Sequence, residues 1–376
     1  MDKKIYLDHS ATTPLDSEVF EAMKPYFSEI FGNASSVHHF GQEARRAVEI
    51  SRKTIANLIN VQPSEIYFVS GGTEANNLAI KGVAYQNRSK GNHIITSPVE
   101  HDAVLNTCRV LAEQGFEITY LPVDQYGMVN PEDVKKAIKS NTILISIIHG
   151  NNEIGTINPI EEISEIATDA GIYFHTDAVQ SFGKVPIDVD LMNISLMSIS
   201  GHKIYGPKGI GVLFIRKGTK IGGLFHGGSQ ENNLRPGTEN VPGIVGIAKA
   251  AALMHQNMSQ DRNNICGIRD YFENELIKRF QGIRINGHPT ERLYHNLNVI
   301  FEGIDSESML LQLNARGVAA SNGSACNSGT VEPSHVLRAI GYSSDMANSA
   351  IRFTLGKTTT IEDIDYVLNT IQVILE

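Results

Sequence analysis

A chain of 376 residues, 41% of them hydrophobic and 19% charged, can bury a sizeable core and is long enough for two domains. Its formal net charge of −9 argues against nucleic acid as the main ligand, because phosphate contacts need clustered Lys and Arg. Its three scattered cysteines (Cys108, Cys266 and Cys326) make neither a disulfide framework nor a zinc set, and no apolar signal core or run of about 18 apolar residues occurs, so the expected setting is a reducing cytoplasm with no membrane span.

Short apolar runs alternate with helical ones from residue 65 onward. The strand candidates are EIYFVS (65–70), HIITS (93–97), ITYLPV (118–123), TILISII (142–148), IYFHTD (172–177), LMSIS (196–200) and GVLFIR (211–216). Several are rich in Ile, Val, Phe and Tyr, and most are bounded by Gly, Pro, Asn or Asp. Helical patterns such as TEANNLAIKGVAYQN, PEDVKKAIK and PIEEISEIATDAG lie between them. The alternation predicts an α/β domain with a largely parallel sheet of seven strands, whose active site lies beyond the carboxyl ends of the strands. A helix over 242–258 closes this region, and a separate amphipathic helix is expected over 263–281. The strand-like LYHNLNVIF (293–301), the helix SESMLLQLNARG, a Gly/Ser-rich loop and a last helix from Ile361 predict a smaller α+β domain.

Five clusters carry possible chemistry. In SGHKIYGPKGIG (200–211), Lys203 lies in a Gly-rich turn after a strand, where a lysine is either solvated or poised to form a Schiff base. In HTDAVQ (175–180), Asp177 could hold the proton of a pyridine nitrogen or cap the following helix, and could do only one of these well. In SGGTEANN (70–77), Gly72 and Thr73 at a helix start offer N–H groups and a hydroxyl, which suit a phosphate or an ordinary cap. In VEHDAV (99–104), His101 could stack on a cofactor or be structural, while the pair His38–His39 lacks a partner at metal-ligand spacing. In SNGSACNSG (321–329), Cys326 lies in a small polar loop expected to be exposed and mobile, and is either a nucleophile or an incidental thiol.

In order and spacing, SGHKIYGPKG, HTDAVQ, NNEIGTI, RPGTEN and SACNSG resemble the class-V aminotransferase group, and within it the cysteine desulfurases of the NifS/IscS type. The likeness runs from YLDHSATTP at 6–14 to IRFTLGKTTTIEDID at 351–365. It implies the type I fold of pyridoxal-phosphate (PLP) enzymes, with a large domain over 15–258 and a small one combining 1–14 with 259–376 and carrying the cysteine loop (321–330). Lys203 would then carry PLP and move protons at the substrate Cα. Asp177 would pair with the ring nitrogen, and Gln180 and Asn152 with the phenolic oxygen. His101 would stack on the ring and act as acid–base. Gly72, Thr73, Ser200 and His202 would hold the phosphate, joined by Thr238 from the partner subunit of a homodimer. Arg352, together with Asn152, would bind the carboxylate of L-cysteine, and Cys326 would take the sulfur, leaving alanine and an enzyme persulfide. The outlet would be a sulfur acceptor or iron–sulfur scaffold protein.

Where the family usually reads LDNAATTP, this chain has His9 and Ser10. It has Ala34 where the family usually has Pro, and Asn233 where Gly is common, a position that Asn tolerates at φ > 0. The rival readings are a selenocysteine lyase, a class-V aminotransferase with no need of a thiol at Cys326, and a catalytically silent binding protein. The last would be expected to have lost Lys203, Asp177 or Cys326.

Overall fold

The computed structural model describes residues 4–322 and 333–376. Its strands are β1 (Ile5–Tyr6), β2 (Ile66–Val69), β3 (His93–Thr96), β4 (Glu117–Tyr120), β5 (Thr142–Ser146), β6 (Tyr173–Asp177), β7 (Leu196–Ser200), β8 (Gly211–Ile215), β9 (Ile283–Asn286), β10 (Asn296–Phe301), β11 (Val318–Ala319) and β12 (Ala350–Thr354). All seven early strand candidates join one sheet, in the order β2-β8-β7-β6-β5-β3-β4. The run from β4 to β7 is parallel, and β8 lies antiparallel to both β7 and β2.

The central strands are apolar on both faces, as a parallel sheet covered by helices requires. Ile95, Ile145 and Met197 enter one core, while their neighbours Ile94, Leu144 and Leu196 enter the core on the opposite face. Each such side chain contributes about 1.5–3 kcal/mol by leaving water. Helix Gly72–Gln86 packs on the second face. A Cβ on Gly211, the first residue of β8, would stand 2.7 Å from the Cα of Gly71, so only glycine lets β8 start this close to the turn that opens that helix.

The expected break between helices 242–258 and 263–281 is absent. A single helix of 39 residues spans Val241–Arg279. The polar stretch Ser259-Gln-Asp-Arg-Asn-Asn264 contains no Gly or Pro, so nothing local stops the helix. The apolar face does change partner: Val241 to Met254 pack in the large-sheet core, and Ile265, Phe272 and Leu276 in a second core.

That second core lies against a three-stranded antiparallel sheet, β12-β10-β9, together with helix Ile361–Leu375. The N-terminal segment joins it from far away in sequence. β1 pairs in parallel with β11, and Asp8 bridges to Thr354. The segment then crosses to the end of β7, where Thr13 donates its N–H and its hydroxyl to the His202 carbonyl, both at 2.9 Å.

Candidate active site

The parallel strands β6 and β7 and the antiparallel β8 meet the start of helix Gly72–Gln86 where Asp177, Ser200 and Gly211 lie. A cavity of about 340 Å³ opens there, lined by Gly72, Thr73, His101, Asn152, Asp177, Gln180, Ser200, His202, Lys203 and Arg352, among others. Of the site residues expected from sequence, those ten meet in one place. Thr238 does not line this cavity and is exposed. Cys326 lies outside the described residues.

Lys203 follows β7 in a short 3-10 turn, Gly201–Lys203. Its Nζ donates to the carbonyls of Ser10 (2.6 Å) and Ala11 (2.7 Å). Those acceptors belong to the N-terminal segment and were not foreseen. The Ser10 carbonyl also accepts from Gln180 Nε2 at 2.8 Å, while Gln180 Oε1 is buried without a partner among the described residues.

Asp177 ends β6 and is 4% exposed. One of its carboxylate oxygens accepts from the Val179 N–H at 2.9 Å, and the other from Asn76 Nδ2 at 2.7 Å. The carboxylate thus caps the following turn through one oxygen and also lines the cavity. Asn76 sits one helical turn after Thr73, in the quoted SGGTEANN run. It escaped notice because only the long-range packing aims it at Asp177.

His101 caps helix Asp102–Glu113, its Nδ1 accepting from the Ala103 N–H at 3.0 Å. In the neutral ring this leaves the proton on Nε2. The preceding Glu100 is fully buried, and burial pushes its carboxyl up to about 8, although Ser97 and the Ile148 N–H both donate to Oε1. His202 is pulled down to about 4 by burial and the neighbouring Lys203, so it sits neutral, its Nδ1 3.1 Å from the Thr12 hydroxyl.

Arg352 comes from the middle of β12 and is 2% exposed. It donates to Asp8 (2.8 Å) and to the Asn152 carbonyl (2.9 Å), and its Nε has no partner among the described residues. The Asp8 pair is another link that sequence did not reveal. Cys108 is fully buried, and burial pushes its thiol up to about 12. Cys266 is half-buried in the long helix, its thiol also raised by burial.

A phosphorylated pyridine cofactor fits these residues. A Cβ on Gly72 would lie 2.7 Å from Val179 Cγ2, so the helix start is a bare backbone cradle next to Ser200. The unpartnered Gln180 Oε1 and the Asp177 carboxylate are polar groups buried at the same cavity. The departure at Asn233 is also explained: Glu231, Asn232 and Asn233 form a left-handed run with φ of 46°, 53° and 64°, fastened by Arg52 donating to Glu231.

Comparison with known proteins places these features in context. The class-V aminotransferase family matches residues 5–367. A cysteine desulfurase IscS of Dictyoglomus turgidum is 55% identical over 100% of this chain and 95% of its own length. One of Methanosarcina thermophila is 53% identical over 100% and 93%. Among solved structures, a NifS-like protein superposes with a TM-score of 0.94 at 37% identity over 99% of both chains. SspA in complex with cysteine gives 0.83 at 40% identity over 94% of this chain and 99% of its own.

Proposed function

The chain belongs to the class-V aminotransferase family and is a PLP-dependent cysteine desulfurase, and from that premise we propose how its own residues divide the work. Bound PLP supplies an electron sink for negative charge at the substrate Cα. Lys203 holds the cofactor and, once displaced by substrate, moves the Cα proton. Asp177, kept in place by Asn76, stabilises a proton on the ring nitrogen. Gln180 and Asn152 bind the phenolic oxygen. The N-terminus of helix Gly72–Gln86, with Thr73, Ser200 and His202, holds the phosphate. His101 stacks on the ring and acts as acid–base. Arg352 binds the cysteine carboxylate, in part through the Nε donor that meets no partner among the described residues. The thiolate of Cys326 attacks the substrate sulfur. The new S–S bond forms as the C–S bond breaks, and its electron pair stays on carbon to be protonated, giving alanine and a Cys326 persulfide.

One observation carries this reading: a single cavity gathers a lysine, a buried carboxylate, a histidine cap, a bare helix N-terminus and a buried arginine. Burial raises the thiols of both Cys108 and Cys266, which supports Cys326 as the nucleophile. We further propose a cytoplasmic homodimer, with Thr238 reaching the partner's phosphate site and the persulfide passing to an iron–sulfur scaffold or similar acceptor. We also propose that residues 15–258 act as the cofactor domain and 1–14 with 259–376 as the small domain. No described helix is long and apolar enough to cross a membrane.

The test is turnover with L-cysteine. Wild type should release alanine, and a turnover without acceptor should add roughly 32 Da to the peptide holding Cys326. Cys326→Ala should still change colour with cysteine and release almost no alanine. Extra mass on Cys108 or Cys266, or full activity of Cys326→Ala, would sink the assignment.

A further inference from the structure

Lys203 stands in a tight loop that closes on glycine. The Ile204 and Gly206 N–H groups both donate to the Gly201 carbonyl, at 3.1 and 3.0 Å. A Cβ on Gly206 would lie 2.8 Å from that carbonyl oxygen, so the chain can return this closely only as glycine. The residue that turns it back is Tyr205. Its φ is 62°, in the left-handed region that glycine and asparagine enter readily and a bulky side chain does not. Among the described aromatic residues Tyr205 alone has a positive φ. Such a backbone costs free energy and persists only where its surroundings over-determine it.

The surroundings of Tyr205 do so from three directions. Its N–H donates to the Thr13 hydroxyl at 2.7 Å, and its carbonyl accepts from the Asp16 N–H at 3.0 Å. Its own hydroxyl accepts from the Lys357 N–H at 3.0 Å, while the Lys357 ammonium lies 4.6 Å from the ring centre. The Thr13 hydroxyl donates in turn to the His202 carbonyl at 2.9 Å. One buried oxygen therefore ties the chain before Lys203 to the chain after it. We propose that Tyr205, held left-handed by Thr13, Asp16 and Lys357, is a positioning residue whose strained backbone fixes the direction in which Lys203 leaves the strand end and so aims its amine into the cavity.

The choice of residue supports this role. A glycine would enter the turn without strain, but it would leave the turn as readily. The tyrosine makes the conformation costly, yet its buried ring and hydroxyl are also what the chain just beyond β12 grips. The tip of the lysine is fixed by the same N-terminal segment, through the carbonyls of Ser10 and Ala11. Root and tip of Lys203 are thus held from one segment, with Tyr205 as the link to the small-sheet side.

This inference rests on the reading of Lys203 as the cofactor-bearing lysine, and the experiment separates the two. Borohydride reduction and peptide mapping show which lysine holds the cofactor, and an adduct elsewhere removes both that reading and the inference. With the adduct on Lys203, Tyr205→Ala and Tyr205→Gly are compared. Both lose the ring, both keep the backbone bonds to Thr13 and Asp16, and only the glycine variant relieves the strain. Tyr205→Gly should show the higher urea midpoint. It should nevertheless turn over about tenfold more slowly, with a weaker visible circular dichroism per bound cofactor. With the cofactor removed, its Ile204 and Gly206 amides should exchange with deuterium faster than those of Tyr205→Ala. Turnover and dichroism that follow stability, highest in Tyr205→Gly, overturn the inference. Should neither variant fold, Thr13→Val and Thr13→Ser are read instead. The first removes the hydroxyl that ties both sides of Lys203 and should weaken the dichroism, while the second keeps the hydroxyl and should restore it. Equal dichroism in that pair also overturns the inference.

Discussion

The two larger sheets present their polar residues in different ways. In the seven-stranded sheet the central strands are dry on both faces, and Ser146, Asp177 and Ser200 are the last residues of their strands. In the three-stranded sheet, strands alternate. Leu297, Val299, Phe301, Ile351 and Phe353 enter the core, while Asn296, Asn298, Arg352 and Thr354 fall on the opposite face. That polar face grips the rest of the site: Asn298 donates to the Glu153 carbonyl, Arg352 to the Asn152 carbonyl, and the Thr354 hydroxyl accepts from Ser10. One sheet delivers chemistry from its strand ends and the other from its face. The first therefore tolerates local change beyond the ends, while the second couples any change in pairing directly to the site.

The largest break in this comparison comes at a strand end. Lys203→Ala should cost at least ~10²–10⁴ in the rate of alanine release, because a covalent acid–base group is lost. Its thermal stability should stay close to wild type, since the residue follows the strand without packing in it. A large drop in melting temperature would show that the strand end is structural after all.

Arg352 tests the face. Arg352→Ala strands Asp8 without its partner and should cost about 3–5 kcal/mol in urea denaturation, along with a raised KM for cysteine. Arg352→Lys should recover more of the stability than of the KM, because a point charge can meet Asp8 without presenting a fork. A normal KM in both variants would remove Arg352 from substrate binding.

Within the large sheet, His175 sharpens the contrast by being polar in mid-strand. It lies between the Ser146 and Ser198 hydroxyls at 2.8 and 3.0 Å, and burial pulls it to about 3. The unfolded chain, with histidine near 6.5, therefore binds more protons than the fold between about pH 6.5 and 3. The contribution of the neutral ring is fully present above pH 6.5 and is lost as pH falls through that window. Urea midpoints for His175→Gln should decline less steeply below pH 6.5 than those of wild type. Parallel pH profiles would discount the residue. The smallest effect belongs to the outer strand β9, where the exposed pair Arg284–Glu302 should give no more than about 1 kcal/mol on Arg284→Ala, and less in high salt.

The strand-end chemistry was legible in sequence because an apolar run followed by Gly, Ser, Asp or His marks both the strand and its end. All seven strands, and Gly72, Thr73, His101, Asp177 and Lys203 at the cavity, were found in this way, while Asn152, Gln180, Ser200 and His202 took their roles from the resemblance. The face chemistry was much less legible. Arg352 was found only through resemblance, and Asp8, Asn298 and the Ser10 carbonyl were not found at all. Backbone acceptors carry no residue signature, and pairing between positions hundreds of residues apart has no local period. The continuous helix Val241–Arg279 was missed for a related reason: its apolar face turns from one core to another, which reads in sequence as two helices.

The N-terminal segment carries a consequence for how the protein is made. Asp8 meets Arg352, and Ser10 meets Thr354, each across 344 positions of sequence. At ordinary synthesis rates of about 5–20 residues per second, roughly 17–70 s pass between the appearance of Asp8 and that of its partner. Through that interval the large sheet can form while Asp8 and Ser10 still lack their partners on β12. In a nascent chain the β12 anchors of the N-terminal segment are thus made long after the strands of the large sheet.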